Sequence, residues 1–107
     1  ISLHLPLTQE TRHILNKENL KRAKSNLIIV NTARGGLLDE DALYELLKER
    51  KLYGLGLDVF EQEPPQNSKL LTLPNVIVSS HTAASTQEAI NAMSRMAVEN
   101  LICSLEA

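Results

Sequence analysis

An open parallel α/β sheet flanked by helices is the fold class that this sequence predicts. Residues 27–30 (LIIV) form an apolar run of strand length without polar alternation, typical of a strand buried on both faces of a parallel sheet. Helical patterns separate the first three apolar runs, and such alternation implies parallel strands joined by right-handed crossovers. Arg34 comes four residues after the LIIV run ends, beside two glycines, so we expect a cation at the sheet edge where ligands bind in open α/β folds.

Composition narrows the possible functions. The chain has 107 residues, 43% hydrophobic and 3% aromatic, with a formal net charge of −2, which describes one soluble domain. This balance argues against a nucleic-acid or anionic-membrane surface, because both require clustered Lys and Arg. The histidines are far apart and no Cys or His pair has ligand spacing, so no metal site is expected. The single cysteine, Cys103, fits a reducing compartment, and we expect a cytoplasmic protein.

The first half of the chain reads as strand, helix, strand. Residues 1–5 alternate like a strand that Pro6 ends, since proline cannot donate to a continuing ladder. A helix is predicted over residues 17–24, with Asn16 as N-cap and with Leu20 and Ala23 facing inward. Residues 27–30 form the second strand.

The second half begins with a well-marked helix. Asp39 is the predicted N-cap, and Leu43, Leu46 and Leu47 share the inward face. The third strand covers residues 52–59 and contains two glycines, where close helix packing would explain the missing side chains. A proline-rich loop over residues 61–74 leads to a fourth strand over residues 75–79.

The last helix is predicted to start in a capping box, in which Ser85 and Glu88 satisfy each other's exposed amides. It runs to about Leu105. One apolar stripe of this helix is expected to face the core, with its methionines as core fillers: Ile90, Met93, Ala97 and Leu101.

Three successive strands end in side chains that suit proton transfer. Arg34 follows the second strand, the carboxylates of residues 58–63 (DVFEQE) follow the third, and His81 follows the fourth. Imidazole exchanges a proton near neutral pH, a neighbouring carboxylate fixes its tautomer, and guanidinium holds a carboxylate with two parallel bonds. The alternatives are a structural histidine, an Asp58 that only accepts loop amides, a solvated acidic loop, and an exposed loop arginine beside turn glycines.

Four blocks of the sequence, in this order, resemble the D-isomer-specific 2-hydroxyacid dehydrogenases: residues 4–8 (HLPLT), 31–36 (NTARGG), 58–64 (DVFEQEP), and His81 followed by residues 85–89 (STQEA). The resemblance covers essentially the whole chain. It implies a Rossmann-type fold and an oxidoreductase that transfers hydride between a nicotinamide cofactor and a D-2-hydroxy acid or 2-oxo acid.

The resemblance also implies residue roles. Arg34 would bind the substrate carboxylate and carbonyl, His81 would be the acid/base, and Glu63 would pair with His81. Asp58 would hold the nicotinamide carboxamide. The implied cofactor-binding residues are Leu5, Pro6, Thr32, Ala33, Arg34, Asp58, His81, Thr82, Ala83 and Ala84.

The sequence departs from the family pattern around the histidine. Ser80 replaces the usual proline before it, and Thr82-Ala83 replaces Ile-Gly or Leu-Gly after it. Alanine in place of glycine would tighten the space beside the nicotinamide, so the cofactor contacts assigned to Ala83 and Ala84 are the ones most affected.

A G-x-G-x-x-G turn with an acid roughly 20 residues later, which holds pyrophosphate and ribose, is not in this sequence. The chain also opens inside a strand pattern. We therefore expect residues 1–107 to be the carboxyl-terminal half of a NAD-binding domain, ending in a helix that leads back to an absent substrate domain. The isolated chain is expected to be inactive, and the parent protein to be a homodimer.

Residues 84–89 (ASTQEA) look most like the phosphoglycerate dehydrogenases of serine biosynthesis, with hydroxypyruvate and glyoxylate reductases as close rivals. NAD is the expected cofactor, and NADP is also compatible because the discriminating acid would lie upstream. Two alternatives from other classes are a non-catalytic, corepressor-like binding module of the same fold and a purely structural α/β domain.

Overall fold

Four strands form one parallel sheet in the order β1-β2-β3-β4 in a computed structural model that describes residues 1–107. The strands are β1 (Ser2–Leu3), β2 (Ile28–Asn31), β3 (Gly54–Leu57) and β4 (Val76–Val78); the helices are α1 (Lys17–Leu20), α2 (Glu40–Lys48) and α3 (Gln87–Glu106). Short 3-10 helices cover Gly35–Leu37 and Lys69–Thr72. The predicted parallel α/β sheet and its order of elements are confirmed; β1, β3 and β4 are shorter than predicted, and β2 has the predicted length but begins one residue later.

The core lies between one face of the sheet and α2. Ile29 of β2 and Leu55 and Leu57 of β3 are buried, and the predicted inward face of α2 is buried against them. Burying a leucine side chain stabilises a fold by roughly 1.5–3 kcal/mol, so this layer holds the strand ends in place. The leucines of α2 in this core cluster are Leu43, Leu46 and Leu47.

The opposite face of the sheet is uncovered, which corrects the prediction that β2 is buried on both sides. Ile28 and Val30 are 49% and 38% exposed, and Ile77 of β4 is 78% exposed. Side chains alternate between the two faces of a strand, so an apolar run shows that both faces are apolar and not that both are covered. The helices of this chain cover one face only.

The last helix, α3, buries none of its residues. The prediction that one stripe of it packs into the core is therefore wrong, and Met93 and Met96 are exposed rather than core fillers. Its N-cap is also one residue later than predicted, because the Thr86 hydroxyl, not that of Ser85, accepts the Ala89 N–H at 3.1 Å. None of the helices is long and apolar enough to cross a membrane.

The other two helix starts agree with the sequence. The Asn16 side chain accepts the N–H groups of Glu18 and Asn19, and the Asp39 carboxylate accepts the Ala42 N–H at 3.1 Å. Such caps satisfy amides that have no partner within the helix. The helix after Asn16 ends at Leu20, earlier than predicted, and Ala23 packs on the core from the turn that follows.

The glycines mark close approaches, though not the predicted ones. Gly54 and Gly56 lie against strand neighbours, the Asn75 carbonyl and the Val30 side chain, and not against a helix. Gly35 is the tightest position: a Cβ there would lie 1.9 Å from the Phe60 carbonyl carbon. The loop after β2 therefore packs backbone-to-backbone on the segment after β3.

We predict that Gly35→Ala destabilises the fold by roughly 1–3 kcal/mol or more, because the Phe60 backbone must shift to admit the methyl group. Urea denaturation followed by circular dichroism measures the loss. Gly56→Ala is the matched control, since its Cβ would meet only ordinary contacts at 3.6 Å and beyond. Equal stability of the two variants would contradict the close approach.

Candidate active site

Asp58, directly after β3, ties the ends of two strands together. It is 4% exposed. Its Oδ1 accepts the Ser79 hydroxyl at 2.6 Å and the Thr82 N–H at 2.9 Å, and its Oδ2 accepts the Ala83 N–H at 2.9 Å. The Ser79 hydrogen bond, helped by the two amides, lowers the pKa of the Asp58 carboxyl below its ordinary value. An ionised Asp58 thus anchors the loop that carries His81.

His81 and Glu63 form a direct pair. The Nδ1 atom of His81 lies 2.8 Å from Oε2 of Glu63, and the Phe60 N–H donates to Oε1 of Glu63 at 3.1 Å. The His81 hydrogen bond, followed by that from Phe60, lowers the pKa of the Glu63 carboxyl. An ionised carboxylate only accepts hydrogen bonds, so Nδ1 carries a proton and Nε2 is the nitrogen left for proton exchange.

The backbone of His81 has a φ of 59°, in the left-handed region that non-glycine residues rarely adopt. The side chain is half exposed, at 50%. Left-handed backbone of this kind persists where surrounding contacts impose it, and the Asp58 bonds to the two residues after His81 provide that constraint.

Arg34 stands in the loop after β2, and buried Asn31 holds that loop. Nδ2 of Asn31 donates to the Arg34 carbonyl at 2.9 Å, and Oδ1 of Asn31 accepts the Ala33 N–H at 3.0 Å. The Arg34 side chain is exposed, and its Nη1 donates to the Ala33 carbonyl at 2.7 Å. No hydrogen bond or ion pair joins it to Glu63 or His81. Arg34 therefore lies at the same edge of the sheet with most of its donors available.

The remaining residues assigned to cofactor binding also follow strand ends. Leu5 packs on the core after β1 and Pro6 is exposed; Thr32 and Ala33 are half-buried after β2. After β4, the amides of Thr82 and Ala83 bind Asp58, and Ala84 is exposed. Because parallel strands end at one edge, all of these positions face the same side of the molecule.

The carboxylate of Asp58 keeps one acceptor site that no group of this chain uses. A carboxylate offers about four acceptor sites. Three are used by Ser79, Thr82 and Ala83, which leaves one on Oδ2 for an amide N–H₂ group. The donor set around Asp58 therefore fits the cofactor that the sequence implies.

The sequence motifs assign no role to Asn31, which opens the block of residues 31–36, or to Ser79, which lies two residues before His81. Their signal is a polar side chain at, or directly after, the last residue of an apolar strand. Such a residue either binds a ligand or closes a loop hydrogen bond, and here both do the latter.

Comparison with known proteins identifies the family. Residues 1–83 match the model of the D-isomer specific 2-hydroxyacid dehydrogenase, NAD binding domain. The chain belongs to this family. The match confirms the resemblance that the sequence motifs indicate, and it confirms a NAD-binding domain of Rossmann type.

Individual dehydrogenases and reductases support the assignment. The chain is 54% identical over 101 residues to D-3-phosphoglycerate dehydrogenase of Methanocaldococcus jannaschii, covering 94% of this chain and 19% of that protein. It is 56% identical over 92 residues to hydroxypyruvate reductase of Thermotoga maritima, covering 83% and 30%. The crystal structure of a glyoxylate reductase from Paecilomyes thermophila superposes with a TM-score of 0.91 at 39% identity, covering 98% and 32%. The chain thus spans a third or less of these three family members.

We predict that Ser79→Ala raises the pKa of Asp58 towards the ordinary value of 3.8, because the hydroxyl is the main group that lowers it. With a lowered pKa the folded state binds this proton more weakly than the unfolded state, so Asp58 adds stability above pH 3.8. That stability is lost as pH falls through the lowered value.

The ¹³Cγ shift of Asp58, followed by NMR as a function of pH, measures the change. Ser25→Ala is the control, since Ser25 is exposed and lies on another loop. An Asp58 titration that is the same in Ser79→Ala and wild type would refute the assigned cause.

Proposed function

We propose that this chain provides the acid/base group and part of the cofactor site of an oxidoreductase that acts on a D-2-hydroxy acid or 2-oxo acid. The Glu63–His81 pair, at 2.8 Å, is the observation that carries the proposal. It stands at the same sheet edge as Arg34 and Asp58, and the family supplies the matching class of reaction. A purely structural domain would have no need of these four groups together.

His81 exchanges the proton in this mechanism. In the oxidation direction Nε2 accepts the substrate hydroxyl proton, and in reduction it returns a proton to the carbonyl oxygen. Glu63 accepts a hydrogen bond from Nδ1–H, so the imidazole keeps one tautomer and one orientation. When bound, the nicotinamide accepts or supplies the hydride.

Arg34 binds the substrate carboxylate and polarises its carbonyl oxygen, a task that suits a guanidinium with free donors. The remaining acceptor site of Asp58 would hold the carboxamide of a bound nicotinamide. Arg34 would thereby orient the substrate and Asp58 the cofactor, which is how positioning lowers a barrier.

Residues 1–107 make up the carboxyl-terminal half of the NAD-binding domain in this proposal, and α3 leads back to a substrate domain. The uncovered sheet face, with Ile28 and Val30, and the unpacked α3 support this, since both present apolar side chains to solvent. The parent protein is a cytoplasmic homodimer that uses NAD, with NADP also compatible. Its substrate is 3-phosphoglycerate, hydroxypyruvate or glyoxylate, in line with the names of the matched relatives.

In the encoded full-length protein, we expect His81→Asn to lower kcat by about 10²–10⁴-fold, the usual worth of a positioned acid/base. Glu63→Gln should lower kcat less and change the pH profile, and Arg34→Gln should raise KM for the oxo acid. Steady-state oxidation of NADH with hydroxypyruvate, glyoxylate or 3-phosphohydroxypyruvate measures all three. Arg22→Gln, on an exposed turn, is the control.

Turnover that survives His81→Asn would show that another group exchanges the proton. A full-length protein that binds dinucleotide without any turnover would instead support the non-catalytic, corepressor-like module.

The isolated chain should show no dehydrogenase activity, because it contains no glycine-rich turn to hold the cofactor pyrophosphate. The same NADH assay with residues 1–107 alone tests this. Turnover that disappears in His81→Ala would prove the expectation wrong.

A further inference from the structure

Three ionisable side chains that have no role in the proposed mechanism lie close together: His13, Glu40 and Glu61. Nε2 of His13 lies 2.9 Å from Oε1 of Glu61. The Glu61 N–H donates to Oε1 of Glu40 at 2.7 Å, and the Glu40 N–H donates to Oε1 of Glu61 at 3.3 Å. Each carboxylate thus accepts the other residue's amide, and the cluster joins three segments of the chain.

This arrangement is electrostatically expensive. Partial burial, together with the neighbouring charge of Glu61, raises the pKa of Glu40, while the amide of Glu61 and the ring of His13 oppose the shift. Two adjacent carboxylates repel each other, and a pair of smaller polar side chains would cap the helix with less conflict. The role of these three residues therefore follows from the segment that they fix.

It holds the peptide between Phe60 and Glu61. The carbonyl side of this peptide is packed on Gly35, where a Cβ would come within 2.0 Å of the Phe60 oxygen, and its N–H is bound by Glu40. The loop with His13 is fixed in turn, because the His13 N–H donates to the Gly36 carbonyl at 2.8 Å. The peptide is therefore held on both sides.

Phe60 is also the residue that orients Glu63. Its N–H donates to Oε1 of Glu63, whose other oxygen meets His81. This N–H belongs to the preceding peptide, which shares the Cα atom of Phe60 with the Phe60–Glu61 peptide. A shift of the Phe60–Glu61 peptide therefore turns Phe60 and moves its N–H relative to Glu63.

We propose that His13, Glu40 and Glu61 form a positioning cluster, which fixes the Phe60–Glu61 peptide so that Glu63 stays within hydrogen-bond distance of Nδ1 of His81. None of the three touches the reacting atoms. The consequence for catalysis rests on the proposed function, whereas the geometric coupling to Glu63 does not.

The test is an NMR titration of the Glu63 carboxyl in Glu40→Ala and Glu61→Ala. In both variants the pKa of Glu63 should rise towards its ordinary value of 4.5, by part of the rise that His81→Asn produces. In protein labelled with [¹⁵N]histidine, the Nδ1 resonance of His81 at fixed pH should move towards its position in Glu63→Gln. A purely structural loss of stability would leave both signals of the folded state unchanged.

Glu45→Ala is the matched control, because Glu45 lies on the same helix as Glu40 and is exposed. Glu40→Gln retains an oxygen that can accept the Glu61 N–H and should restore most of the wild-type signals. If the alanine variants do not fold, His13→Asn, which shortens the side chain that contacts Glu61, decides by the same two readouts.

Unchanged Glu63 and His81 signals in the folded variants would overturn the proposal. Since neither readout requires turnover, its failure is distinguishable from failure of the proposed function. If the full-length enzyme is inactive but the Glu63 and His81 signals shift in the variants, the positioning cluster is supported and the proposed function is not. If the enzyme is active but these signals do not shift, only the positioning cluster is refuted.

Discussion

The buried carboxylate of Asp58 is the constraint on which the candidate site depends. A carboxylate that is 4% exposed must be compensated, and three donors from the end of β4 and its loop supply that compensation. The donors come from both sides of His81, so the backbone of the histidine has little freedom and takes a φ of 59°. Asp58, which the family resemblance links to the cofactor, therefore also fixes the loop that carries His81.

The charged groups of the site differ in the hydrogen bonds that hold them. Hydrogen bonds lower the pKa of both Asp58 and Glu63, so both carboxyls stay ionised well below neutral pH. The negative charge of Asp58 opposes the shift of Glu63, and the contacts from His81 and Phe60 outweigh it. The guanidinium of Arg34, by contrast, is exposed and forms a hydrogen bond with neither carboxylate.

Local interactions are the part of this structure that the sequence predicts well. The caps at Asn16 and Asp39 and the buried face of α2 depend on residues within one or two helical turns. The sequence does not predict what packs on the sheet and on α3. Apolar residues such as Ile28 and Met93 give the same pattern whether the residues that cover them lie in this chain or elsewhere. The cap at Thr86 was missed because two adjacent hydroxyl residues fit the same motif. The strand ends predicted the neighbourhood of Asp58, Glu63 and His81, but not which atoms would bond, since that depends on backbone dihedrals in the loops.

The contacts that shape the acid/base group are contained in a short part of the chain. The hydrogen bonds that hold the Glu63–His81 pair join Asp58, Phe60 and the loop of His81, and none of them involves the uncovered sheet face or α3. The geometry of proton exchange can therefore form independently of whatever covers Ile28 and Val30. The phosphate-binding turn of a Rossmann fold is not among these residues. The contacts of the Glu63–His81 pair are therefore separate from the part of such a fold that holds the pyrophosphate, and the pair can form without it.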